Sequence, residues 1–153
     1  MFLKKLVIVS LCILCASCAS ERYTYESLAN RFDHVYSGQD EYKMGYRYLL
    51  GQDTPKNYPK AISYFRKSAN QDNKYAENEL GYLYAAGKGV PQNYATAASW
   101  YGKAAAQNLA SAQYSLGVLY AHGLGVSANK EKALGLFKQS AAQGFLPAQR
   151  VLQ

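Results

Sequence analysis

Residue types that support catalysis or metal binding are few in this chain, and their spacing does not bring them together. The two histidines, His34 and His122, are far apart in sequence, and neither has a second ligand or a catalytic partner at close spacing. Glu77 and Glu79 fall on different faces of a predicted helix, so they do not converge as the acid pair of a hydrolase. The sequence GKG at residues 87–89 lacks the serine or threonine that completes a phosphate-binding loop. We therefore expect no enzymatic activity, no catalytic residue, no metal site and no cofactor.

The start of the chain has the pattern of a secretory signal. A basic segment at residues 1–5 precedes an apolar stretch at residues 6–14, which is shorter than the roughly 20 residues that a transmembrane helix needs. Small residues at positions 16 and 17 then precede Cys18. The other two cysteines, Cys12 and Cys15, belong to the same segment, so the sequence predicts no disulfide framework in the rest of the chain.

The sequence LCASCAS around Cys18 resembles a bacterial lipobox, in which the cysteine is lipidated and becomes the new N-terminus. Lipoboxes usually have leucine where this chain has Cys15. The resemblance implies a signal peptide over residues 1–17 and a lipid anchor at Cys18. It places the protein in the bacterial cell envelope, at the outer membrane facing the periplasm, because Ala19 is not the aspartate that retains lipoproteins in the inner membrane. The alternative is cleavage near Ala19, which gives a soluble periplasmic or secreted protein.

A period of 36 residues dominates the chain after residue 40. Glycine, tyrosine, alanine, aromatic and glutamine positions recur at this interval without gaps. They are Gly45, Gly81 and Gly117; Tyr48, Tyr84 and Tyr120; Ala61, Ala97 and Ala133; Phe65, Tyr101 and Phe137; and Gln71, Gln107 and Gln143. Regular self-similarity at such a period is the sequence signature of a solenoid.

Each unit has the pattern of two helices joined by short turns. The asparagines expected to cap the second helices are Asn57, Asn93 and Asn129. The residues expected to take the left-handed conformation at the exit of those helices are Asp72, Asn108 and Gly144. Gly81 lies inside a first helix, where glycine costs about 1 kcal/mol relative to alanine. We expect it to be retained because, beside the small Ala104 and Ala105, it lets the helix backbones approach closely while tyrosine and phenylalanine rings fill the space between repeats.

The unit pattern ALGxxYxxGxGV followed by KAxxWxxKAAxQG resembles the Sel1-like repeat family, a relative of the tetratricopeptide repeats. The resemblance implies an all-α fold, a right-handed α/α superhelical solenoid of helix-turn-helix repeats. Its implied organisation begins after the signal peptide with a lipidated N-terminus and capping helix at 18–39 and a degenerate first repeat at 40–75. Repeats then follow at 76–111 and 112–147, with the start of a closing helix at 148–153.

In this family the first helix of each unit lines a concave groove that binds partner proteins or extended peptides. By position, the resemblance implies that the partner-binding residues are Tyr42, Tyr46, Asn78, Tyr82, Tyr114 and Arg150. Tyrosine and arginine are typical of interface hot spots. The alternative is that these tyrosines pack between repeats. The leading hypothesis is therefore a non-catalytic, envelope-anchored adaptor or scaffold for a protein or peptide partner.

The charge of the repeats favours a second hypothesis. Residues 42–153 hold 13 bases and five acids, a net charge of about +8 that suits peptidoglycan or anionic lipid. The alternative function is thus a cell-wall or lipid-associated accessory lipoprotein, and we expect no nucleic-acid partner. A β-lactam-binding enzyme is the least favoured interpretation, because the members of the family linked to that activity are cysteine-rich. A homodimer through an open edge of the array also remains an alternative.

Overall fold

The structure, a computed structural model, describes residues 38–153. This part of the chain is all-helical, with seven helices and no strand. They are α1 (Gln39–Leu50), α2 (Tyr58–Ala69), α3 (Lys74–Ala86), α4 (Tyr94–Ala106), α5 (Ala110–His122), α6 (Lys130–Ala142) and α7 (Leu146–Val151). The expected signal peptide, the Cys18 lipidation site, the capping helix and His34 lie outside the described residues. Between 38 and 153, no helix is long and apolar enough to cross a membrane.

The helices alternate between two positions in a solenoid. The first helices of the repeats are α1, α3, α5 and α7, and the second helices are α2, α4 and α6. Each second helix packs against the first helix of its own repeat and against the first helix of the following repeat. Each repeat therefore covers the open side of the one before it, and the all-α solenoid predicted from the period is confirmed.

Asparagine side chains begin all three second helices. The Oδ1 atoms of Asn57, Asn93 and Asn129 each accept a hydrogen bond from a backbone N–H three residues later, at 2.9 Å. These bonds satisfy one of the backbone donors that every helix start leaves unpaired. The predicted caps are confirmed.

Left-handed residues end the same helices. Asp72, Asn108 and Gly144 have φ values of 56°, 59° and 82°. This conformation turns the chain sharply into the next first helix, and aspartate, asparagine and glycine are the residues that adopt it most readily. The predicted exit positions are therefore also confirmed.

The recurring glycine of the first helices faces an aromatic ring. A Cβ atom built on Gly81 would lie 2.6 Å from Cδ1 and Cε1 of Tyr101, in the second helix of the same repeat. Gly45 and Gly117 meet Phe65 and Phe137 in the same way, at 2.5 and 2.7 Å. The close approach expected at Gly81 is therefore made first by the ring of Tyr101, which supplies the three atoms nearest to such a Cβ.

Two apolar clusters form the core, and the second repeat contributes to both. The first cluster joins Phe65 of α2 to Leu80 and Leu83 of α3, all of them fully buried. The second joins Tyr101 of α4 to Leu119 of α5. The second repeat thus gives its first helix to one cluster and its second helix to the other.

In each of the last two full repeats, a side-chain hydrogen bond joins the first helix to the residue that follows the second helix. In the second repeat, Nε2 of Gln107 donates to Oε2 of Glu77 at 2.8 Å, and in the third, Nε2 of Gln143 donates to Oε1 of Gln113 at 2.7 Å. The acceptors Glu77 and Gln113 are 2% and 3% exposed, whereas the donor Gln107 is half-buried and the donor Gln143 is exposed. Burial raises the pKa of the Glu77 carboxyl, against the opposing effects of Lys103 and of the bond from Gln107.

Candidate functional site

One side of the first helices carries a band of tyrosines. It lies away from the most buried residues of those helices, such as Ala76 and Leu80 of α3. We call this band the first-helix face. Its members in the first three repeats are Tyr42, Tyr46, Tyr75, Asn78, Glu79, Tyr82 and Tyr114.

Three of the predicted partner-binding tyrosines also take part in packing. The rings of Tyr42 and Tyr46 lie 5.0 Å apart in an edge-to-face contact, and both rest on Phe65, at 5.8 and 5.6 Å. Tyr114 packs between Phe137 and Phe145, at 5.6 and 5.5 Å. These three side chains are half-buried. They therefore support the repeats while keeping part of their surface on the first-helix face.

The other three predicted residues differ in exposure. Tyr82 is 41% exposed, and Arg150 is exposed on the short helix α7. Asn78 is half-buried, and its Oδ1 atom is buried with no hydrogen-bond partner among the described residues. Buried polar atoms in proteins are nearly always hydrogen-bonded, so this oxygen is an exception among the described residues, and it is not accessible from the surface.

Two residues of this face were missed in the sequence. Tyr75 is 45% exposed, and its ring lies 6.1 Å from that of Tyr42 in the preceding repeat. Glu79 accepts a 2.7 Å hydrogen bond at Oε1 from the hydroxyl of Tyr46. Helical spacing from Asn78 and Tyr82 was the available signal. Glu77, two residues before Glu79, points instead toward Gln107.

Glu79 is a half-buried carboxylate among tyrosine hydroxyls. Burial raises the pKa of its carboxyl, and the hydrogen bond from Tyr46 lowers it in part. Burial is also the main reason that the pKa values of Tyr42 and Tyr46 are raised, and the charge of Glu79 raises both further. Within residues 38–153, no lysine, arginine or histidine forms an ion pair with Glu79.

Tyr101, on the second helix α4 of the same repeat, is another tyrosine whose pKa is affected by Glu79. Burial raises the pKa of its hydroxyl to about 12, with smaller contributions from Glu79 and Tyr82 and an opposing hydrogen bond with Ser115. The raised pKa values of Tyr42, Tyr46 and Tyr101 favour their neutral phenol forms.

Two lysines sit over tyrosine rings at the margin of the first-helix face. The ammonium of Lys74 lies 5.6 Å from the ring centroid of Tyr75. That of Lys88 lies 4.8 Å from the centroid of Tyr82 and donates to its hydroxyl. Both distances fit cation–π attraction. The face is thus aromatic, with one carboxylate inside it and ammonium groups at its margin.

The second helices carry a strong excess of positive charge. Only one acid, Glu131, occurs in α2, α4 and α6, against seven bases. The bases are Lys60, Arg66, Lys67, Lys103, Lys130, Lys132 and Lys138. All seven side chains are exposed. The excess positive charge of the repeats is therefore concentrated on the second helices.

Residue types that bind metals or act as nucleophiles are spread over the described part of the chain. Between 38 and 153, no group of three or more His, Cys, Asp or Glu side chains is placed to hold a metal ion. His122 is exposed at the end of α5. A shallow depression of about 310 Å³ between α5 and α6 contains Lys132 as its only charged lining residue. Ser127 and Lys130 have the spacing of a serine–lysine pair, but both are exposed and Asn129 between them serves as a helix cap.

The repeats have recognisable relatives. The profile of the Sel1 repeat family matches residues 39–73, 74–109 and 110–145. A protective antigen of uropathogenic Escherichia coli with an SLR fold is 39% identical, with a TM-score of 0.69 over 78% of this chain, and the chain spans only 25% of that protein. A Sel1 repeat protein from Oxalobacter formigenes is 31% identical, with a TM-score of 0.71 over 84% of this chain and 97% of its own length.

A more distant relative shares the fold. Cysteine-rich protein B of Helicobacter pylori is 23% identical, with a TM-score of 0.65 over 82% of this chain and 92% of its own. No curated protein matches the chain.

Proposed function

We infer the function from one premise: the chain belongs to the Sel1 repeat family. Proteins of this family generally mediate protein–protein interactions and are typically non-catalytic scaffolds. We propose that this chain is an adaptor of the bacterial cell envelope, and that it binds a partner protein or an extended peptide on its first-helix face.

The exposure of Tyr75 and Tyr82 is the observation that supports this site. Both are large aromatic side chains, 45% and 41% exposed, on the same side of α3. Tyrosine offers a partner a wide apolar surface and a hydroxyl at low cost in conformational entropy, which is why it is enriched at binding hot spots. Asn78, which is half-buried, lies between them in sequence.

Affinity capture from detergent-solubilised envelope tests the proposal. The tagged full-length chain is compared with a Tyr75→Ala, Tyr82→Ala double variant and with a Leu134→Ala control. Leu134 is 45% exposed on the second helix α6, so the control removes a similar apolar surface from the other side. One identified protein that is captured by the wild type and the control but not by the double variant is expected. Equal capture by all three folded proteins would contradict binding on this face.

Anchoring through a lipid at Cys18 is a separate part of the proposal. It rests on the apolar segment at residues 6–14 and the small residues before the cysteine. The mass of the mature N-terminus should show a diacylglyceryl group on Cys18, and a Cys18→Ser variant should leave the membrane fraction. A mature protein that starts after Cys18 would instead support a soluble periplasmic or secreted form.

Binding to an anionic surface is a second candidate function, favoured by the bases of the second helices. Their charge would attract anionic lipid head groups or cell-wall polymers, and raised salt would weaken the attraction. Sedimentation with anionic vesicles and with wall fragments is the measurement. A Lys60→Gln, Lys67→Gln, Lys132→Gln variant should lose sedimentation, whereas Lys43→Gln, Arg47→Gln on α1 should retain it. The same loss in both variants would indicate only a general effect of net charge.

A further inference from the structure

The geometry points to a binding site for one lysine or arginine side chain of the partner, at Glu79. We propose that the Glu79 carboxylate pairs with this cation while Tyr42 and Tyr46 enclose its aliphatic stem. This inference rests on the proposed function, because it names the chemistry that the first-helix face would recognise in a bound protein or peptide.

The carboxylate is held in a fixed position by the boundary between two repeats. Tyr46 of α1 donates its hydroxyl to Oε1 of Glu79 in α3, at 2.7 Å. Tyr46 is itself fixed by ring contacts of 5.0 Å to Tyr42 and 5.6 Å to Phe65. A carboxylate oxygen accepts more than one hydrogen bond, so the bond from Tyr46 leaves acceptor capacity for an ammonium or guanidinium group.

The charge of Glu79 is not balanced in the described part of the chain. Its hydrogen-bonding neighbour is a phenol, and no lysine, arginine or histidine of residues 38–153 is paired with it. Half-burying a carboxylate without a counter-ion is unfavourable, and the raised pKa of its carboxyl reflects this. A partner's cation would remove that cost, whereas a partner's carboxylate would be repelled.

The surrounding rings suit a cation. Tyrosine faces attract ammonium and guanidinium groups through the ring quadrupole. The chain itself places Lys74 over Tyr75 and Lys88 over Tyr82. No cation of the described residues lies over Tyr42 or Tyr46, and both half-buried rings keep part of their surface exposed.

The site occurs at one repeat boundary. The positions equivalent to Tyr46 and Glu79 at the next boundary are Tyr82 and Ser115, 36 residues later. Serine supplies no charge there. At the boundary before the last helix they are Val118 and Val151. A single cationic side chain would therefore set the register of a partner along the described repeats, where only the boundary between the first and second repeats offers the Tyr46–Glu79 pair.

Four labelled alanine-based hexapeptides that differ at one central position test the proposal. The central residues are lysine, arginine, norleucine and glutamate, and binding to the full chain is followed by fluorescence anisotropy. We expect the lysine and arginine peptides to bind about tenfold more tightly than the norleucine peptide, with the glutamate peptide weakest. The preference should shrink at high salt. Equal binding of all four peptides, or binding of none at millimolar concentration, overturns the proposal.

Glu79→Gln should abolish the preference for a cation. Glu77→Gln is the matched control, because it makes the same change two residues away, where the side chain points inward to Gln107. A preference that survives Glu79→Gln, or that is lost equally in both variants, contradicts a site at Glu79.

Capture of the natural partner separates the two proposals. If Tyr75→Ala, Tyr82→Ala loses the partner while Glu79→Gln keeps it, the cation site is wrong and the adaptor function stands. If neither variant loses the partner, binding on the first-helix face is wrong as well.

Discussion

Glu77 places a carboxylate in the interior of the second repeat, where the third repeat has a neutral glutamine. Gln107 donates to Glu77, and Gln143 donates to Gln113, in equivalent contacts. Burial raises the pKa of the Glu77 carboxyl above its usual value, despite the opposing effects of Lys103 and Gln107. The same hydrogen bond is thus made once with an acid and once with an amide, and only the acid depends on pH.

Glu77→Gln should therefore stabilise the chain at neutral pH. A raised pKa in the folded state means that protonation favours folding, so the stability linked to Glu77 is present at low pH and is lost as the pH rises through the raised value. The glutamine variant has no such loss. Thermal melts from pH 4 to pH 8 should show equal melting temperatures for the wild type and the variant at acidic pH. At neutral pH the variant should have the higher melting temperature. A lower melting temperature for the variant at pH 7 would contradict this account.

Gly81 tests how closely a first helix approaches its own second helix. Alanine would gain about 1 kcal/mol of helix propensity there. However, its Cβ would lie 2.6 Å from the ring of Tyr101, which is buried and has little room to move. Overpacking of this kind costs about 1–3 kcal/mol or more, so we expect net destabilisation of Gly81→Ala in urea unfolding.

Gly102 is the control for this substitution. It lies inside α4, and a Cβ built on it meets no atom within 4 Å. Gly102→Ala should therefore stabilise the chain by up to about 1 kcal/mol. Equal effects of the two substitutions would mean that propensity alone, and not contact with the ring, determines the cost at Gly81.

At the scale of the helices, the asparagine caps determine where the second helices start. Asn93→Ala removes the acceptor for the backbone N–H of Thr96, which is bonded at 2.9 Å. We expect a loss of about 1 kcal/mol in the free energy of unfolding. Asn93→Asp keeps an acceptor, so its free energy of unfolding should fall by only a few tenths of the loss expected for Asn93→Ala. A loss of the same size in both variants would show that the cap is not the cause.

The helices and turns were predictable because each is determined by a local pattern. The 36-residue spacing of glycine, tyrosine and alanine indicated the pairs of helices, and Asn57 or Asp72 identifies a helix start or end from the residue type alone. The ring that fills the space at Gly81 was not predictable in this way. Tyr101 lies 20 residues away, and only the crossing of two helices brings it there.

The candidate site was partly predictable for the same reason. Helical spacing and the family resemblance placed Tyr42, Tyr46 and Tyr82 on one face. The contact between Tyr46 and Glu79 depends on how far each repeat is rotated relative to its neighbour. The local sequence pattern does not determine that rotation, so Glu79 was not predicted as part of the face.

At the scale of the whole molecule, the second repeat links the two halves of the core. Its first helix supplies Leu80 and Leu83 to the cluster shared with the first repeat. Its second helix supplies Tyr101 to the cluster shared with the third. Trp100 of α4 also packs against the first cluster and Tyr84 of α3 against the second, so the two clusters are coupled through this repeat.

Substitutions in the second and third repeats should therefore have effects of different extent. In a solenoid each repeat contacts only its neighbours, and stability is the sum of repeat and interface contributions. Leu119→Ala empties part of the second cluster, where Leu119 is 4% exposed, at a cost of about 2–5 kcal/mol. We expect the third repeat to open locally while α1 to α3 remain folded, because their own cluster is intact.

Hydrogen exchange followed by mass spectrometry distinguishes local from global opening. In Leu119→Ala, the amides of α5 to α7 should lose protection while those of α1 to α3 keep it. Leu80→Ala, at a fully buried position of the first cluster, should instead lower protection in every helix, since the second repeat supports both neighbours. A uniform loss in both variants would mean that the three repeats unfold as one cooperative unit. In that case a partner bound at the boundary of the first and second repeats would stabilise the third repeat as much as it stabilises the two repeats that it contacts.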